Sequence, residues 1–173
     1  DKGYTYSVSI MFHSLSDIIS RYVCILSTID SPSTFQYVLL SRDTKVPKRA
    51  TPESAGYDIY SPKVVTIPAR STVKIPLDLS ITPPPGTYVR TAARSSMATK
   101  HQIICPADVV DPDYTGCIHM CLTNLSEYQY TVQKHERIGS IVFECYATPA
   151  GIETYELVST ARGAKGFGST GRM

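Results

Sequence analysis

The sequence has no tryptophan, little charge and no long apolar run, and each absence narrows the class of protein. Charged residues make up 18% of the 173 residues and the formal net charge is +2, so the charge balance predicts no stable binding to nucleic acid or to a membrane surface. The longest apolar stretch, residues 18–29, is interrupted by Arg21. It is too short for a membrane span and is unconvincing as a signal peptide.

The five cysteines are an odd number, and no two of them have Cys-x-x-Cys spacing. Reduced thiols inside a cell explain this better than a disulfide framework, so we expect an intracellular protein of the cytoplasm or nucleus. Cys117, His119 and Cys121 alternate on one face of a predicted strand. Neighbours on one face lie about 6.5–7 Å apart, too far to share one zinc ion at about 2.0–2.3 Å, so this face is expected to pack.

The length predicts one domain with its own core, and twelve prolines argue against long helices. From Phe35 onward, short apolar runs alternate with Pro and Gly turns every 8–12 residues or so, which is typical of an all-β sandwich or jelly-roll-like barrel. The strongest strand predictions cover residues 35–40, 64–67, 72–75, 77–81, 88–92, 117–123 and 139–146, with one helical turn or two around 96–100. Residues 1–34 differ in composition and are interpreted as an N-terminal extension, followed by a β domain over 35–158.

Residues 108–116, Asp-Val-Val-Asp-Pro-Asp-Tyr-Thr-Gly, carry the most chemistry in the shortest space. Two valines followed by Asp, Pro and Gly predict the tip of a β-hairpin. Such a tip exposes backbone N–H and C=O groups to the edge of a base, and it places the Asp111 carboxylate close to the Tyr114 ring. The alternative is a surface turn with an incidental aspartate.

Three other stretches offer binding groups. Asp58 lies within the strand-like residues 55–61, where a carboxylate more often faces solvent. Arg94 and Ser95 follow a strand and open a helical turn, where a phosphate could meet a guanidinium, a hydroxyl and backbone N–H groups; an N-cap serine explains Ser95 equally well. Residues 162–171 contain four glycines, which predicts either a disordered tail or a lid ordered by a ligand.

These stretches, in this order, resemble the five motifs of the trimeric dUTP pyrophosphatases (dUTPases). The resemblance runs from about Phe35 to the C-terminus, with residues 55–61, 94–98, 108–116, 136–143 and 162–171 as the five motifs. The chain departs from the family at Ser96 and Ser140, which replace the usual Gly and Gln, and also at Ala93, Met97 and Asp108. The departures and the extension resemble the rapid divergence of viral members, for which the compartment would be the host cell.

The resemblance implies a jelly-roll-like dUTPase β-barrel in a homotrimer with exchanged C-terminal arms. dUTP and Mg²⁺ would bind, and water would attack the α-phosphorus to give dUMP and pyrophosphate. Asp111 would be the general base, Tyr114 would pack on the deoxyribose, and the backbone of Val109 and Val110 would pair with uracil. Rejection of thymine's methyl group by the tight hairpin must exceed the ~1–3 kcal/mol that an apolar pocket supplies.

The remaining implied roles concern the phosphates and their surroundings. The inner phosphates would be held by Arg94, Ser95 and Ser96, and the closing arm of residues 159–173 would supply Arg162, Phe167, Gly168, Ser169 and Thr170. Asp58, Arg137 and Ser140 would support the site. Mg²⁺ would be held by phosphate oxygens and water with no direct protein ligand, and Asp58 would act through such water.

Two alternatives stay open from the sequence. One is an interaction protein of the same fold, catalytically impaired by Ser96 and Ser140, with residues 1–34 binding a protein partner. The other is a relative of the dCTP deaminases, whose chemistry needs an acid/base group at the C4 atom of the base, and the sequence offers no match for that group.

Overall fold

A computed structural model describes residues 34–165 of the chain. The N-terminal extension, apart from Thr34, lies outside the described residues, as do the arm residues Phe167, Gly168, Ser169 and Thr170. In chain order, the elements are β1 Gln36–Leu39, β2 Tyr57–Tyr60, β3 Val65–Ile67, β4 Thr72–Pro76, β5 Leu79–Thr82, β6 Thr87–Ala93, α1 Ser95–His101, β7 Ile103–Ile104, β8 Val109–Val110, β9 His119–Asn124, β10 Tyr130–Val132 and β11 Arg137–Cys145.

The strands form small antiparallel sheets. The largest has the order β2-β11-β6-β8, a second has the order β4-β9-β7, and β1-β5 and β10-β3 form two-stranded pairs. Short strands joined by turns rich in Pro and Gly leave no room for long helices, and α1 has only 7 residues. The all-β prediction is confirmed.

The core is rich in isoleucine and lies between the sheets. In β9 the inward face is fully buried and comprises Met120, Leu122 and Asn124, preceded in the chain by Ile118. Gly139 in β11 is packed so closely that an added Cβ would lie 2.4 Å from the Ala92 carbonyl oxygen and 2.4 Å from Met120 Cε. The strand can therefore approach its neighbours only because this residue has no side chain.

The helix α1 is fixed by one buried side chain and by its ends. Met97 is buried, and Lys100 and His101 lie in the last turn, where positive charge interacts favourably with the helix dipole. Gln102 ends the helix in a left-handed conformation with φ 55°, and its N–H donates to the Ala98 carbonyl.

The predicted hairpin at residues 108–116 is wrong in one respect. β8 pairs with β6, whereas β9 pairs with β4 and β7, so the two arms belong to different sheets. The turn chemistry was interpreted correctly, because the Tyr114 N–H donates to the Asp111 carbonyl at 3.1 Å. The arms separate after this turn because each completes hydrogen bonds with a different sheet.

No helix within residues 34–165 has the length and hydropathy needed to cross a membrane.

Candidate active site

The gap between the separated arms is a cavity of about 280 Å³. Its walls come from β8, the following turn, β9 and one residue of β4, and they comprise Lys74, Val109, Val110, Asp111, Tyr114, Cys117, Ile118, His119 and Cys121. Four of the residues predicted for the site therefore lie together at one cavity. The predicted packing role for the face carrying Cys117, His119 and Cys121 is incomplete, because these half-buried side chains also line this cavity.

Strand register decides which backbone groups can face a ligand in the cavity. Val110 pairs with Val89, and the Thr91 N–H donates to the Asp108 carbonyl at 2.8 Å. In an antiparallel ladder hydrogen-bonded residues alternate, so the polar backbone groups of Val110 are used by β6 and those of Val109 point away from it.

The same rule applies across the cavity at His119. The Leu77 N–H donates to the Ile118 carbonyl at 2.9 Å, and His119 lies opposite Pro76, which has no N–H. The N–H and C=O of His119 therefore point to the side of β9 away from β4. The sequence interpretation missed His119 as a backbone contributor, because the direction of its N–H and C=O depends on strand register, which the sequence does not reveal.

Tyr114 is held in place by its own turn. Its hydroxyl donates to the Cys117 carbonyl at 2.9 Å, and the ring remains 44% exposed. An added Cβ on Gly116 would lie 2.6 Å from the Tyr114 hydroxyl oxygen, so glycine is needed to let the ring lie over the turn. Asp111 is exposed beside this ring, where its carboxylate is accessible to solvent.

A second cluster contains Arg94, predicted to hold the inner phosphates, and the three predicted supporting residues Asp58, Arg137 and Ser140. Arg137 donates to the Asp58 carboxylate at 2.6 Å, and this hydrogen bond raises the pKa of the Arg137 guanidinium. Ser140 faces the same carboxylate, with 3.5 Å between Ser140 Oγ and Asp58 Oδ1. Arg94 donates from Nη1 to the Arg137 carbonyl at 3.3 Å. Asp58 is thus mostly buried and paired with Arg137, whereas a carboxylate within a strand more often faces solvent.

The helix start differs from the simple N-cap interpretation of Ser95. Arg94 occupies the N-cap position with an extended backbone and no side-chain capping bond, and Ser95 is the first helical residue. The Ser95 side chain is exposed and that of Ser96 half-buried, both in the first turn beside Arg94.

The two clusters lie at opposite ends of β6. Val110 is opposite Val89, so antiparallel pairing places Asp111 near Tyr88, whereas Arg94 follows the other end of the strand. Tyr88 and Arg94 are six positions apart, which at about 3.3 Å per residue is about 20 Å. A single chain therefore does not bring Asp111 to the arginine cluster.

Arg162 is exposed and donates to the Lys165 carbonyl at 3.0 Å. Within residues 34–165 no group of three His, Cys, Asp or Glu side chains is arranged to hold a metal ion.

An all-β fold, an arginine cluster suited to anions and a small cavity with outward-facing backbone groups define a protein equipped to bind a phosphorylated heterocycle. Comparison with known proteins specifies this class further. The family model described as dUTPase matches residues 42–171, and the chain belongs to the dUTPase family.

The relatives include plant, fungal and viral proteins. The chain is 44% identical over 142 residues to deoxyuridine 5'-triphosphate nucleotidohydrolase of Arabidopsis thaliana, covering 82% of this chain and 86% of that protein. It is 39% identical over 148 residues to the protein of the same name from Fowl adenovirus A serotype 1, covering 86% and 83%. Among solved structures, Staphylococcus bacteriophage 80alpha dUTPase with dUPNHPP has a TM-score of 0.75 at 27% identity, covering 80% of this chain and 98% of that one.

Proposed function

We propose that this chain is a dUTP diphosphatase that hydrolyses dUTP to dUMP and pyrophosphate. The observation that carries the proposal is the cavity between β8 and β9, where outward-facing backbone groups, the Tyr114 ring and the Asp111 carboxylate lie together. Uracil presents an N–H donor between two carbonyl acceptors, and backbone C=O and N–H groups complement that edge.

Val109 and His119 are the residues whose backbone groups the register leaves available to the base. A methyl group at the C5 atom of the base would have to fit within the same cavity of about 280 Å³. Because one methyl in an apolar pocket changes affinity by only ~1–3 kcal/mol, discrimination against thymine depends on the rigidity of the turn. The Tyr114–Cys117 hydrogen bond supplies such rigidity.

Asp111 acts as the general base. Its carboxylate takes a proton from water as the water oxygen bonds to the α-phosphorus, and the bond from that phosphorus to the bridging oxygen breaks to release pyrophosphate. Tyr114 lies beside Asp111 and packs on the deoxyribose, where a 2′-hydroxyl would lose its hydration.

Arg94, Ser95 and Ser96 hold the inner phosphates, because guanidinium and hydroxyl donors suit phosphate oxygens. Asp58 orients Arg137 beside them through its 2.6 Å hydrogen bond. A Mg²⁺ ion would be held by phosphate oxygens and water, with Asp58 acting through water. When bound, the ion would neutralise negative charge on the phosphates.

The site requires more than one copy of the chain. Asp111 and Arg94 act on the same α-phosphate, yet they lie about 20 Å apart along one β6. In a homotrimer, the turn of residues 108–116 of one chain can lie next to the arginine cluster of the neighbouring chain, so Asp111 and Arg94 can reach the same phosphate. Exposed apolar residues in and just after β1 and on the C-terminal segment support exchanged arms, namely Val38, Leu40, Ile152, Leu157 and Val158.

The arm of residues 159–173 closes the site. Arg162, Ser169 and Thr170 bind the γ-phosphate, while Phe167 covers the base with the backbone of Gly168 close to the ligand. We further propose that the protein acts inside a cell and that residues 1–34 bind a protein partner.

Replacement of Asp111 by Asn tests the proposed base. The amide preserves shape but cannot accept the proton, so turnover should fall by ~10²–10⁴ while binding of a non-hydrolysable dUTP analogue stays within a fewfold. Stopped-flow turnover and calorimetric binding separate the two effects. An Asp111→Asn variant that retains most of its turnover would exclude Asp111 from the role.

A further inference from the structure

A hydrogen-bonded pair outside the predicted site fixes the bend that leads into β11. The Tyr130 hydroxyl donates to Glu136 Oε1 at 2.5 Å, and the Gln133 N–H donates to Glu136 Oε2 at 2.7 Å. The bend closes with the Glu136 N–H donating to the Gln133 carbonyl at 3.0 Å, and His135 within it has φ 64°. A non-glycine residue in that conformation needs surrounding contacts to hold it. The His135 N–H donates to the Ser61 carbonyl at 2.7 Å, and the Glu136 carboxylate holds the two sides of the bend through Tyr130 and Gln133.

The proposed phosphate-binding residue Arg94 and the supporting residue Arg137 both depend on the chain that leaves this bend. The residue after Glu136 is Arg137, whose carbonyl accepts the bond from Arg94 Nη1 at 3.3 Å. The Arg94 backbone N–H donates to the Ile138 carbonyl at 3.3 Å. A change in the path of residues 136–138 would therefore move Arg94 and Arg137 together.

The Tyr130 hydroxyl is a permanent hydrogen-bond donor to Glu136. Burial, together with its hydrogen bond to Glu136, raises the pKa of Tyr130 to about 12, so the phenol keeps its proton at physiological pH. The Arg94 cation acts in the opposite direction on the same pKa.

We propose that Tyr130 and Glu136 are positioning residues that set Arg94 and Arg137 for the phosphates of the substrate. Neither residue contacts the substrate; they act through the bend. The inference rests on the proposed function. It means that two residues outside the arginine cluster contribute to the affinity for the phosphates of the substrate.

Tyr130→Phe and Glu136→Gln test the inference, with Tyr88→Phe as the matched control. Tyr88 donates to Glu144 Oε2 at 2.6 Å in an equivalent Tyr–Glu bond at the far end of β6 and β11. Calorimetry measures the affinity of wild type and variants for α,β-imido-dUTP and for deoxyuridine, which has no phosphate. Steady-state assays with dUTP give KM and kcat.

Both test variants should bind the triphosphate analogue about three- to tenfold more weakly while binding deoxyuridine as wild type does. In both test variants KM for dUTP should rise by a similar factor, while kcat stays within about twofold of wild type. Tyr88→Phe should change neither the two affinities nor KM. A loss shared equally by both ligands, or an equal effect of Tyr88→Phe, would show a general structural role and overturn the inference. A wild type that binds neither ligand overturns the proposed function and this inference with it. If wild type binds normally and the variants keep the same ratio of affinities for the triphosphate analogue and for deoxyuridine, this inference alone is overturned.

Discussion

Two inactive variants should restore activity to each other if the site is shared between chains. Asp111→Asn removes the proposed base, which typically costs ~10²–10⁴ in rate. Arg94→Ala removes a charge-assisted hydrogen bond to phosphate, and a loss of ~1.5–3 kcal/mol corresponds to about 10- to 150-fold. Because Asp111 and Arg94 lie about 20 Å apart along β6 of one chain, a single chain does not form a complete site.

The expected recovery follows from the geometry of a ring of three chains. Co-expression with two different tags and tandem purification selects trimers that contain both variants. Whether the ratio is two to one or one to two, one junction in the ring joins an intact Asp111 to an intact Arg94. The purified mixed trimer should therefore turn over at about one third of the wild-type kcat, which is about 3- to 50-fold above the Arg94→Ala parent and further above the Asp111→Asn parent.

A pyrophosphate-release assay at saturating dUTP measures this recovery. The matched control is a mixed trimer of Asp111→Asn with the double variant Asp111→Asn, Arg94→Ala, which contains no intact base and should stay at the parental rate. If verified mixed trimers were no more active than their parents, the shared site would be wrong. The Asp111 and Arg94 roles would then require a different arrangement.

Three further results are expected. Deletion of all residues after Ser159 should leave the assembled protein folded by circular dichroism and sedimentation yet reduce dUTP turnover by orders of magnitude, and a fully active truncated chain would refute the role of the arm. Gly116→Ala should raise KM for dUTP, because an added Cβ would lie 2.6 Å from the Tyr114 hydroxyl oxygen and displace the ring, and an unchanged KM would contradict that contact. The hydrogen bond from Tyr88 lowers the pKa of Glu144 from its ordinary 4.5, so its stabilisation is present above that pH and is lost as pH falls through the folded pKa. Thermal unfolding should therefore show wild type more stable than Glu144→Gln at pH 7 and the two converging at low pH, and a gap independent of pH would be inconsistent with this pair.

The fold was largely predictable because its signals are local. Turns containing Pro and Gly separate short apolar runs, so β1, β4, β6 and β11 were expected close to where they occur. β10 was missed because Tyr130–Val132 is only 3 residues long and carries no alternating pattern of its own. The pairing of β8 with β6 was also beyond the sequence, since a turn signal does not reveal which sheet each arm joins.

The residues of the candidate site were predicted better than their arrangement. The turn around Asp111 and Tyr114 could be predicted from residue types, but the backbone direction of Val109 and His119 depends on ladder register. Glu136 opens the fourth motif, but its bond to Tyr130 had no sequence signal, because it joins a short strand to a bend and only the folded chain brings the two side chains to 2.5 Å. The roles assigned to Phe167 and its neighbours stay predictions, since they lie outside the described residues.

Pyrophosphate release from dUTP, dTTP, dCTP and UTP under identical conditions with Mg²⁺ tests the central claim most directly. The account predicts turnover of dUTP with rates for the other three lower by orders of magnitude, because backbone pairing, the rigid turn and the Tyr114 ring act on base and sugar together. Binding of dUTP without turnover would favour the impaired interaction protein. Comparable rates for dUTP and dTTP would contradict the base-recognition role of the cavity between β8 and β9.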